Sequence, residues 1–202
     1  DNLGEANSED ISLGEEIEVS EAQIGDSTEN NGILVNDGVN SIIWSLENGV
    51  LHINGTGIIP DHTCSTPVFK NRSDIKSIVF AEGITEVGKY LFYECTGIES
   101  VSISSTVEKF GDTGLQSTVF SSCNIAGTGF TVAENNAGGF FTDEGCLYKD
   151  CGDYICFYKY AGEHTTYTVP NKIEDKTVNI VAYHAFYGCT LDTLTIAARE
   201  FS

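Results

Sequence analysis

The feature that most constrains the fold is an apolar pattern that occurs in residues 75–95 and again, in register, in residues 98–123. Both units end in the spacing F-x-x-C, and a third copy of that spacing runs from Phe186 to Cys189. Extra residues before Phe120 lengthen the second unit. Self-similarity with a period of roughly two dozen residues is typical of a solenoid, whose stacked units bury a core that no single unit could bury alone. The matched positions are Ile75 and Ile98, Ile78 and Val101, Phe80 and Ile103, Ile84 and Val107, Val87 and Phe110, Phe92 and Phe120, and Cys95 and Cys123.

Alternation along the repeat strands predicts which side chains are buried, because successive side chains of a strand point to opposite faces. The outward set is a ladder of short, mostly hydroxyl-bearing side chains. Ser and Thr suit exposed strand positions in general, so the ladder is either an ordinary solvated face or a shallow surface that binds protein or glycan. It lacks the aromatic and Arg anchors of strong interfaces. The predicted inward residues are Ile78, Phe80, Val101, Ile103, Phe130, Val132, Tyr167, Val169, Leu194 and Ile196. The predicted outward residues are Ser77, Val79, Ser100, Ser102, Thr131, Thr166, Thr168, Thr193 and Thr195.

Residues 41–68 are predicted to form a β cap in front of the repeats. Apolar runs flank Asn48-Gly49, and an Asn-Gly pair between such runs favours a tight β-hairpin. The Gly-Thr-Gly run at residues 55–57 is expected to end the second strand of this hairpin. Trp44 is the only tryptophan, and we expect it to seal the end of the core.

A second hairpin is predicted inside an enlarged repeat, with residues 146–149 paired against residues 154–158. Insertions in a solenoid occur in loops because the stacked strands cannot absorb them, so we expect this hairpin to protrude. Exposed tyrosines on it would suit a protein interface. The tyrosines assigned to this surface are Tyr154, Tyr158 and Tyr160.

The seven cysteines cannot all pair within one chain, because their number is odd. Cys95, Cys123 and Cys189 occupy equivalent repeat positions, which favours buried thiols that act as small apolar side chains. Cys146 and Cys156 lie on opposing strands of the second hairpin, so a disulfide between them is a candidate cross-link.

The chain carries no pattern that predicts catalysis or metal binding. A Ser hydrolase needs a nucleophile, a His base and an orienting acid, but no G-x-S-x-G elbow is present and the four histidines lie in unrelated segments. Cys64 follows His62 in a loop, with nothing else to favour a thiol enzyme. The cysteines of the second hairpin lack a fourth zinc ligand in register, and the carboxylates around Asp150 form no calcium loop. We predict neither an enzyme nor a cofactor or metal site.

The charge of the chain excludes two classes of partner. The net charge is −20, and Lys70 is the first Lys or Arg of the chain. So acidic a surface repels nucleic acid and anionic membranes. No segment is long and apolar enough to span a bilayer. The acidic residues 1–40 are predicted to be a linker and residues 69–202 the repeat domain. The chain contains no Met and starts at Asp1, which predicts a processed product whose signal peptide has been removed.

Four stretches together resemble the BspA-like, treponemal-type leucine-rich repeats of bacterial cell-surface proteins. They are WSLENGVLHINGTG, IKSIVFAEGITEVGKYLFYEC, the run FTVAENN…DEGCLYK…YTVP, and HAFYGCTLDTLTI, and they cover residues 44–196. The resemblance implies a curved solenoid with a parallel sheet on its concave side, export in an anaerobic gut or oral bacterium, and adhesion or host-protein binding. It implies no catalytic residues.

The predicted fold is thus a β-rich leucine-rich-repeat solenoid of the α/β class, with short helical turns on its convex side. We expect a secreted or cell-surface monomer that binds a protein or glycan. The alternative is a structural spacer within a larger surface protein, with no ligand of its own.

Overall fold

Fifteen strands and one short 3₁₀ helix make up the described part of the chain, in three hydrogen-bonded sheets. The structure is a computed structural model that describes residues 29–111 and 117–196. Most of the predicted acidic segment (residues 1–28), residues 112–116 and residues 197–202 lie outside the described residues. The strands are β1 (Asn31–Asn36), β2 (Ser41–Glu47), β3 (Val50–Ile59), β4 (Ser77–Phe80), β5 (Ile84–Val87), β6 (Ser100–Ile103), β7 (Lys109–Phe110), β8 (Gly129–Val132), β9 (Phe140–Asp143), β10 (Cys146–Asp150), β11 (Ile155–Lys159), β12 (Thr166–Val169), β13 (Lys172–Ile173), β14 (Lys176–Val181) and β15 (Thr193–Ile196), and the helix is Ser117–Phe120.

The first sheet confirms the repeat register that the sequence predicts. Its strands run in the order β1-β2-β3-β4-β6-β8, antiparallel up to β3 and parallel from there on. Ile78 pairs with Val101, and Val101 pairs with Phe130. The side chains of all three are buried. A second parallel ladder, β3-β5-β7, runs beside the first, so consecutive coils are hydrogen-bonded along two sides.

The N-terminal hairpin forms as predicted, but its second strand continues past the glycines. Asn48 and Gly49 both have positive φ, as a tight hairpin turn requires. At Gly55 a Cβ atom would lie 2.0 Å from the carbonyl oxygen of Ser41, so only glycine fits. The prediction that residues 55–57 end the strand is therefore wrong. They bend β3, whose first half pairs with β4 and whose second half pairs with β5.

The strand β1 lies inside the segment predicted to be a linker. It pairs antiparallel with β2, and its Leu34 is buried in the core. Gly32 leaves room for the indole of Trp44, since a Cβ there would lie 2.7 Å from its Nε1. The folded region therefore includes residues that sequence composition assigned to the acidic segment.

A stack of phenylalanine rings forms the centre of the core. The rings of Phe69, Phe92 and Phe120 come from three successive coils, with centroids 5.5 and 5.7 Å apart and planes within 10° of parallel. Trp44 packs edge-on against Phe69 at 5.1 Å and closes the stack, which confirms its predicted place at the end of the core. The guanidinium of Arg72 lies over the indole at 5.9 Å and donates hydrogen bonds to Asp74 and to the carbonyl of Glu29.

The F-x-x-C segments are turns, and the predicted helical turns and α/β class are not supported. In each segment the Cys N–H donates to the Phe carbonyl three residues earlier. The residue before the Cys then has positive φ (Glu94 and Ser122, both 61°), which ends any helical winding. The thiols of Cys95 and Cys123 donate to the carbonyls of Phe69 and Phe92 in the preceding coil, with Sγ–O distances of 2.7 and 2.9 Å. These thiols are therefore hydrogen-bond donors that link neighbouring coils.

The second sheet contains the predicted inserted hairpin. Its strand order is β13-β14-β11-β10-β9, with β10 and β11 antiparallel and β11 and β14 parallel. All five residues of β11 are buried. The hairpin is confirmed, but it packs as the interior of a sheet instead of protruding.

The last strand departs from the predicted burial. β15 pairs only with β12, in a separate two-stranded parallel sheet. Leu194 and Ile196, which alternation predicts to point inward, are 39% and 58% exposed. That prediction is wrong because no described element covers this side of β15.

Candidate functional site

The solvent-facing side of β2, β3, β4, β6 and β8 is the first candidate site, and we call it the polar face. Inward side chains of these strands fill the core, so their alternate neighbours form this face. Strand register aligns them into rows, and the hydroxyl oxygens of Ser77 and Ser100 lie 2.6 Å apart. One row is Ser45, His52, Val79, Ser102 and Thr131, and the next is Glu47, Val50, Ser77, Ser100 and Gly129.

The predicted hydroxyl ladder is split between two sheets. Ser77, Val79, Ser100, Ser102 and Thr131 lie together on the polar face, where the N-terminal hairpin extends their rows. The four remaining threonines are exposed but belong to the β12–β15 pair, which shares no ladder hydrogen bond with the first sheet. In that pair Thr166 lies opposite Thr193, and Thr168 lies opposite Thr195. Sequence reasoning missed Ser45 and His52 because it assigned the hairpin only a capping role.

The polar face ends at a cleft of about 360 Å³. Gly129, the last position of the second row, also lines this cleft. The polar side chains that line the cleft are those of Thr128, Glu144, Glu163 and His164. The cleft therefore adds two carboxylates to one end of the polar face.

Two of the three tyrosines assigned to an exposed hairpin surface are in the core. Tyr158 and Tyr160 are buried, and the Tyr158 hydroxyl donates to the carbonyl of Phe110 at 2.9 Å. The Tyr160 ring packs against Tyr167, with centroids 4.9 Å apart. Tyr154, in the turn, is half-buried. The prediction of a tyrosine surface on this hairpin is wrong for Tyr158 and Tyr160, because aromatic rings of the core pack against both: Phe110 and Phe140 against Tyr158, and Tyr167 and Phe186 against Tyr160.

The candidate disulfide between Cys146 and Cys156 does not form. Strand register places Cys156 opposite Lys149, while Cys146 lies opposite Asp143 on the other neighbour of β10. Both thiols are free and buried, and Cys146 donates to the carbonyl of Ala161 at 3.3 Å. Burial raises the pKa of Cys156 to about 12. The pairing register of β10 with its two neighbouring strands determines this outcome, and that register cannot be derived from the sequence alone.

Thiol labelling checks the cysteine environments directly. Cys64 is exposed, whereas Cys95, Cys123, Cys146 and Cys156 are buried with pKa values raised by burial. Because it is accessible to solvent, we expect Cys64 to react rapidly with a disulfide reagent in the folded protein. The four buried thiols should react only after unfolding. Peptide mapping of the labelled native protein measures both. A Cys64→Ser variant should lose the fast phase, and fast labelling of Cys95 or Cys123 would contradict these environments.

Ser121 and His184 form a pair that sequence reasoning missed. The Ser121 hydroxyl lies 2.9 Å from Nδ1 of His184. Burial, followed by the positive charge of Lys159, lowers the pKa of His184. Ser121 is fully buried, and no carboxylate among the described residues hydrogen-bonds to the ring. A hydrolytic triad needs an accessible serine and an acid that orients the base. The pair instead fixes the orientation of the imidazole.

The described residues hold neither a candidate metal cluster nor a helix that could cross a membrane. No group of three or more His, Cys, Asp or Glu side chains converges among them. Asp150, at the turn of the second hairpin, is paired with Lys176 at 2.5 Å, and this hydrogen bond lowers the pKa of Asp150. None of their helices is long and apolar enough to span a bilayer.

A second exposed feature lies on the side of the F-x-x-C turns. The ring of His184 is stacked between Tyr183 and Tyr187, with centroid distances of 4.0 and 4.9 Å. Tyr183 is 63% exposed and Tyr187 is 52% exposed. Tyr93 occupies the same repeat position as Tyr187, directly after the Phe of F-x-x-C. This shared repeat position of two tyrosines is the sequence pattern from which the feature could have been predicted.

Comparison with known proteins identifies the repeats. The family model of the BspA type leucine rich repeat region matches residues 62–137 in six copies. A leucine-rich repeat protein from Eubacterium ventriosum ATCC 27560 is 20% identical over 83% of this chain, with a TM-score of 0.38, and this chain spans 60% of its length. A leucine rich cell surface protein from Faecalibacterium prausnitzii A2-165 is 11% identical over 80% of this chain and 72% of its own, with a TM-score of 0.33. No match is found among curated proteins.

Proposed function

We propose that this chain, whose residues 62–137 match the family model of the BspA type leucine rich repeat region, is a binding module of a bacterial cell-surface protein whose partner is an extended polypeptide. The polar face would be the contact surface. The observation that carries the proposal is the row of Ser45, His52, Val79, Ser102 and Thr131, which five hydrogen-bonded strands hold in register.

The dimensions of the polar face suit a short extended segment. Adjacent strands lie about 4.8 Å apart, so five strands separate the outer side chains of a row by roughly 19 Å. An extended chain rises about 3.3 Å per residue, and some six residues would cover this span. The short side chains leave the surface shallow, and their hydroxyls can donate to or accept from a backbone.

Charge favours a basic or neutral segment. The chain has a net charge of −20, and Glu47 lies at one end of the polar face while Glu144 and Glu163 line the cleft at the other. Such a field attracts cationic side chains and repels phosphate. Because exposed charges are screened by salt, binding should weaken as ionic strength rises.

A structural spacer without a ligand is the second candidate. The observation that favours it is the lack of Trp, Tyr and Arg among the described residues of the polar face, since those residues dominate strong interfaces. Under this hypothesis the rows serve only as the solvated side of the sheet.

The introduction of positive charge on the polar face distinguishes the two candidates. Ser102→Lys combined with Thr131→Lys would repel a basic segment and obstruct the row. We expect the double variant to bind immobilised extracellular-matrix proteins at least about tenfold more weakly than the parent, a loss of about 1.4 kcal/mol. The matched control is Thr168→Lys combined with Thr195→Lys, which places the same charges on the β12–β15 pair. Equal binding by both double variants would place the contact elsewhere, and no saturable binding by the parent would favour the spacer.

A further inference from the structure

Five aromatic rings on the turn side, of which Tyr183 and Tyr187 are exposed and the other three are half-buried, form a surface that we call the tyrosine patch. It consists of Tyr90, Tyr93, Tyr183, His184 and Tyr187. Tyr90 and Tyr93 pack edge to face at 5.9 Å. The N–H of Glu94 donates to the carbonyl of Ser121, which joins their coil to the next. The turn of the last coil contacts the same middle coil, since the Ser121 hydroxyl lies 2.9 Å from Nδ1 of His184.

The backbone beneath the tyrosine patch is anchored to the core. The buried ammonium of Lys159 donates to the carbonyl of Tyr187 at 2.9 Å and to that of His184 at 3.5 Å. A Cβ at Gly188 would lie 2.6 Å from the carbonyl carbon of Ser122, so this turn packs directly on the preceding coil. The backbone that carries the rings of this turn is thus held in place before any ligand arrives, which lowers the entropic cost of binding.

The two exposed rings of the tyrosine patch, Tyr183 and Tyr187, come from a segment without a charged side chain at neutral pH, whereas Lys70 lies 5.8 Å from the centre of the half-buried Tyr93 ring and pairs with Glu94 at 3.8 Å. Burial and Lys159 lower the pKa of His184, so its imidazole is neutral. The aliphatic side chains of these turns, Leu91, Val119 and Ala185, are all buried. The surface therefore offers aromatic faces and hydroxyl groups, with no exposed aliphatic side chain among the described residues of the three turns.

We propose that the tyrosine patch binds a neutral glycan, whose pyranose rings stack on Tyr183 and Tyr187. A pyranose has an apolar face of C–H groups for an aromatic ring and hydroxyl groups for the phenol edges and the imidazole. The acidic chain disfavours sulfated and sialylated sugars. Tyrosines also anchor protein interfaces, so a protein partner is one of the outcomes that the test distinguishes. This inference concerns a different surface from the polar face and does not depend on it.

The test compares Tyr183→Ala/Tyr187→Ala with Tyr183→Phe/Tyr187→Phe. The probes are immobilised maltotetraose, cellotetraose and lacto-N-tetraose, with sialyllactose as the anionic comparison. We expect the parent to bind at least one neutral tetrasaccharide more tightly than sialyllactose. The alanine variant should bind it at least about tenfold more weakly, while the phenylalanine variant, which keeps both rings, should stay within about threefold of the parent.

Control variants separate this surface from others. Tyr154→Ala removes a half-buried tyrosine in the turn between β10 and β11, which is not part of the tyrosine patch. It should leave glycan binding unchanged, as should Ser102→Lys/Thr131→Lys. Unfolding midpoints close to that of the parent would confirm that the alanine variant is folded, as expected for two exposed side chains. The proposal is overturned if no neutral tetrasaccharide binds or if the folded alanine variant binds tetrasaccharide as well as the parent. It is also overturned if the alanine variant binds matrix proteins more weakly but binds tetrasaccharide unchanged.

Discussion

Phe92→Ala should lower the free energy of unfolding by about 3–5 kcal/mol, among the largest effects of any single substitution in this chain. The Phe92 ring is fully buried between Phe69 and Phe120, with Phe80 packed against its edge at 6.1 Å. Replacement by alanine loses the favourable free energy of transferring the ring from water to the core. It also leaves a cavity in the middle of the stack, which the hydrogen-bonded coils cannot close. Urea unfolding followed by circular dichroism measures the loss.

Two controls show whether the stack itself is responsible. Phe92→Leu keeps most of the volume and should cost less than half as much, because a leucine fills the site without a large cavity. Tyr154→Ala, at a half-buried turn, should change stability by less than about 1 kcal/mol. A loss below about 1.5 kcal/mol for Phe92→Ala would mean that the coils relax around the missing ring.

The repeat register could be predicted because local spacing determines it. Each coil must return an apolar residue to the same depth of the core, so matched residues such as Ile78 and Val101 meet as cross-strand partners. The Asn-Gly turn was equally predictable, because both of its residues need positive φ. The burial of Cys95 and Cys123 was predicted from the F-x-x-C spacing, but their thiol hydrogen bonds were not, because they depend on how coils stack.

The environment of β11 could not be predicted, because its sequence does not alternate. The five residues from Ile155 to Lys159 are all buried, as in the centre of a sheet covered on both faces. A tyrosine and a lysine inside such a strand resemble surface residues when only the sequence is considered. The bulge between Leu147 and Tyr148 shifts the pairing of β10 with β11, and that shift determines which residues face the cysteines.

The candidate sites differ in how far the sequence predicts them. Alternation along single strands predicts the hydroxyl side chains of β4, β6 and β8, but only strand order shows that the β2–β3 hairpin extends their rows. The tyrosine patch needs more, because His184 contacts Ser121 across 63 residues of chain. Its rings meet only after an intervening hairpin has been packed inside the core.

Alkaline pH should destabilise the fold steeply, because the buried thiols must stay protonated in the folded state. Burial raises the pKa of Cys123 and of Cys156 to about 12, and it raises the pKa of Cys95 still further. The same thiols ionise near pH 8.5 in the unfolded chain. Their contribution is therefore fully present below about pH 8.5 and is lost as pH rises toward the folded-state pKa values.

Each such thiol removes about 1.4 kcal/mol of stability per pH unit, so three remove about 4 kcal/mol per unit between roughly pH 9 and 11. Over these two pH units the loss amounts to about 8 kcal/mol, enough to unfold a domain in the lower half of the usual stability range of about 5–15 kcal/mol. The tyrosines of the core, whose pKa values are also raised by burial, add to the loss above about pH 10. Lys149 and Lys159 oppose it, since burial lowers their pKa values and the folded chain then binds fewer protons.

Cysteine-to-serine variants isolate the thiols from these other groups. Cys95→Ser and Cys123→Ser keep a donor for the carbonyls of Phe69 and Phe92 but remove the titrating proton. Urea unfolding under reducing conditions from pH 7 to 11 gives the slope of stability against pH. Each substitution should reduce the downward slope by about 1.4 kcal/mol per pH unit. An unchanged slope would show that these two thiols ionise inside the folded protein, and that the coil stack tolerates a thiolate where the structure places a neutral donor.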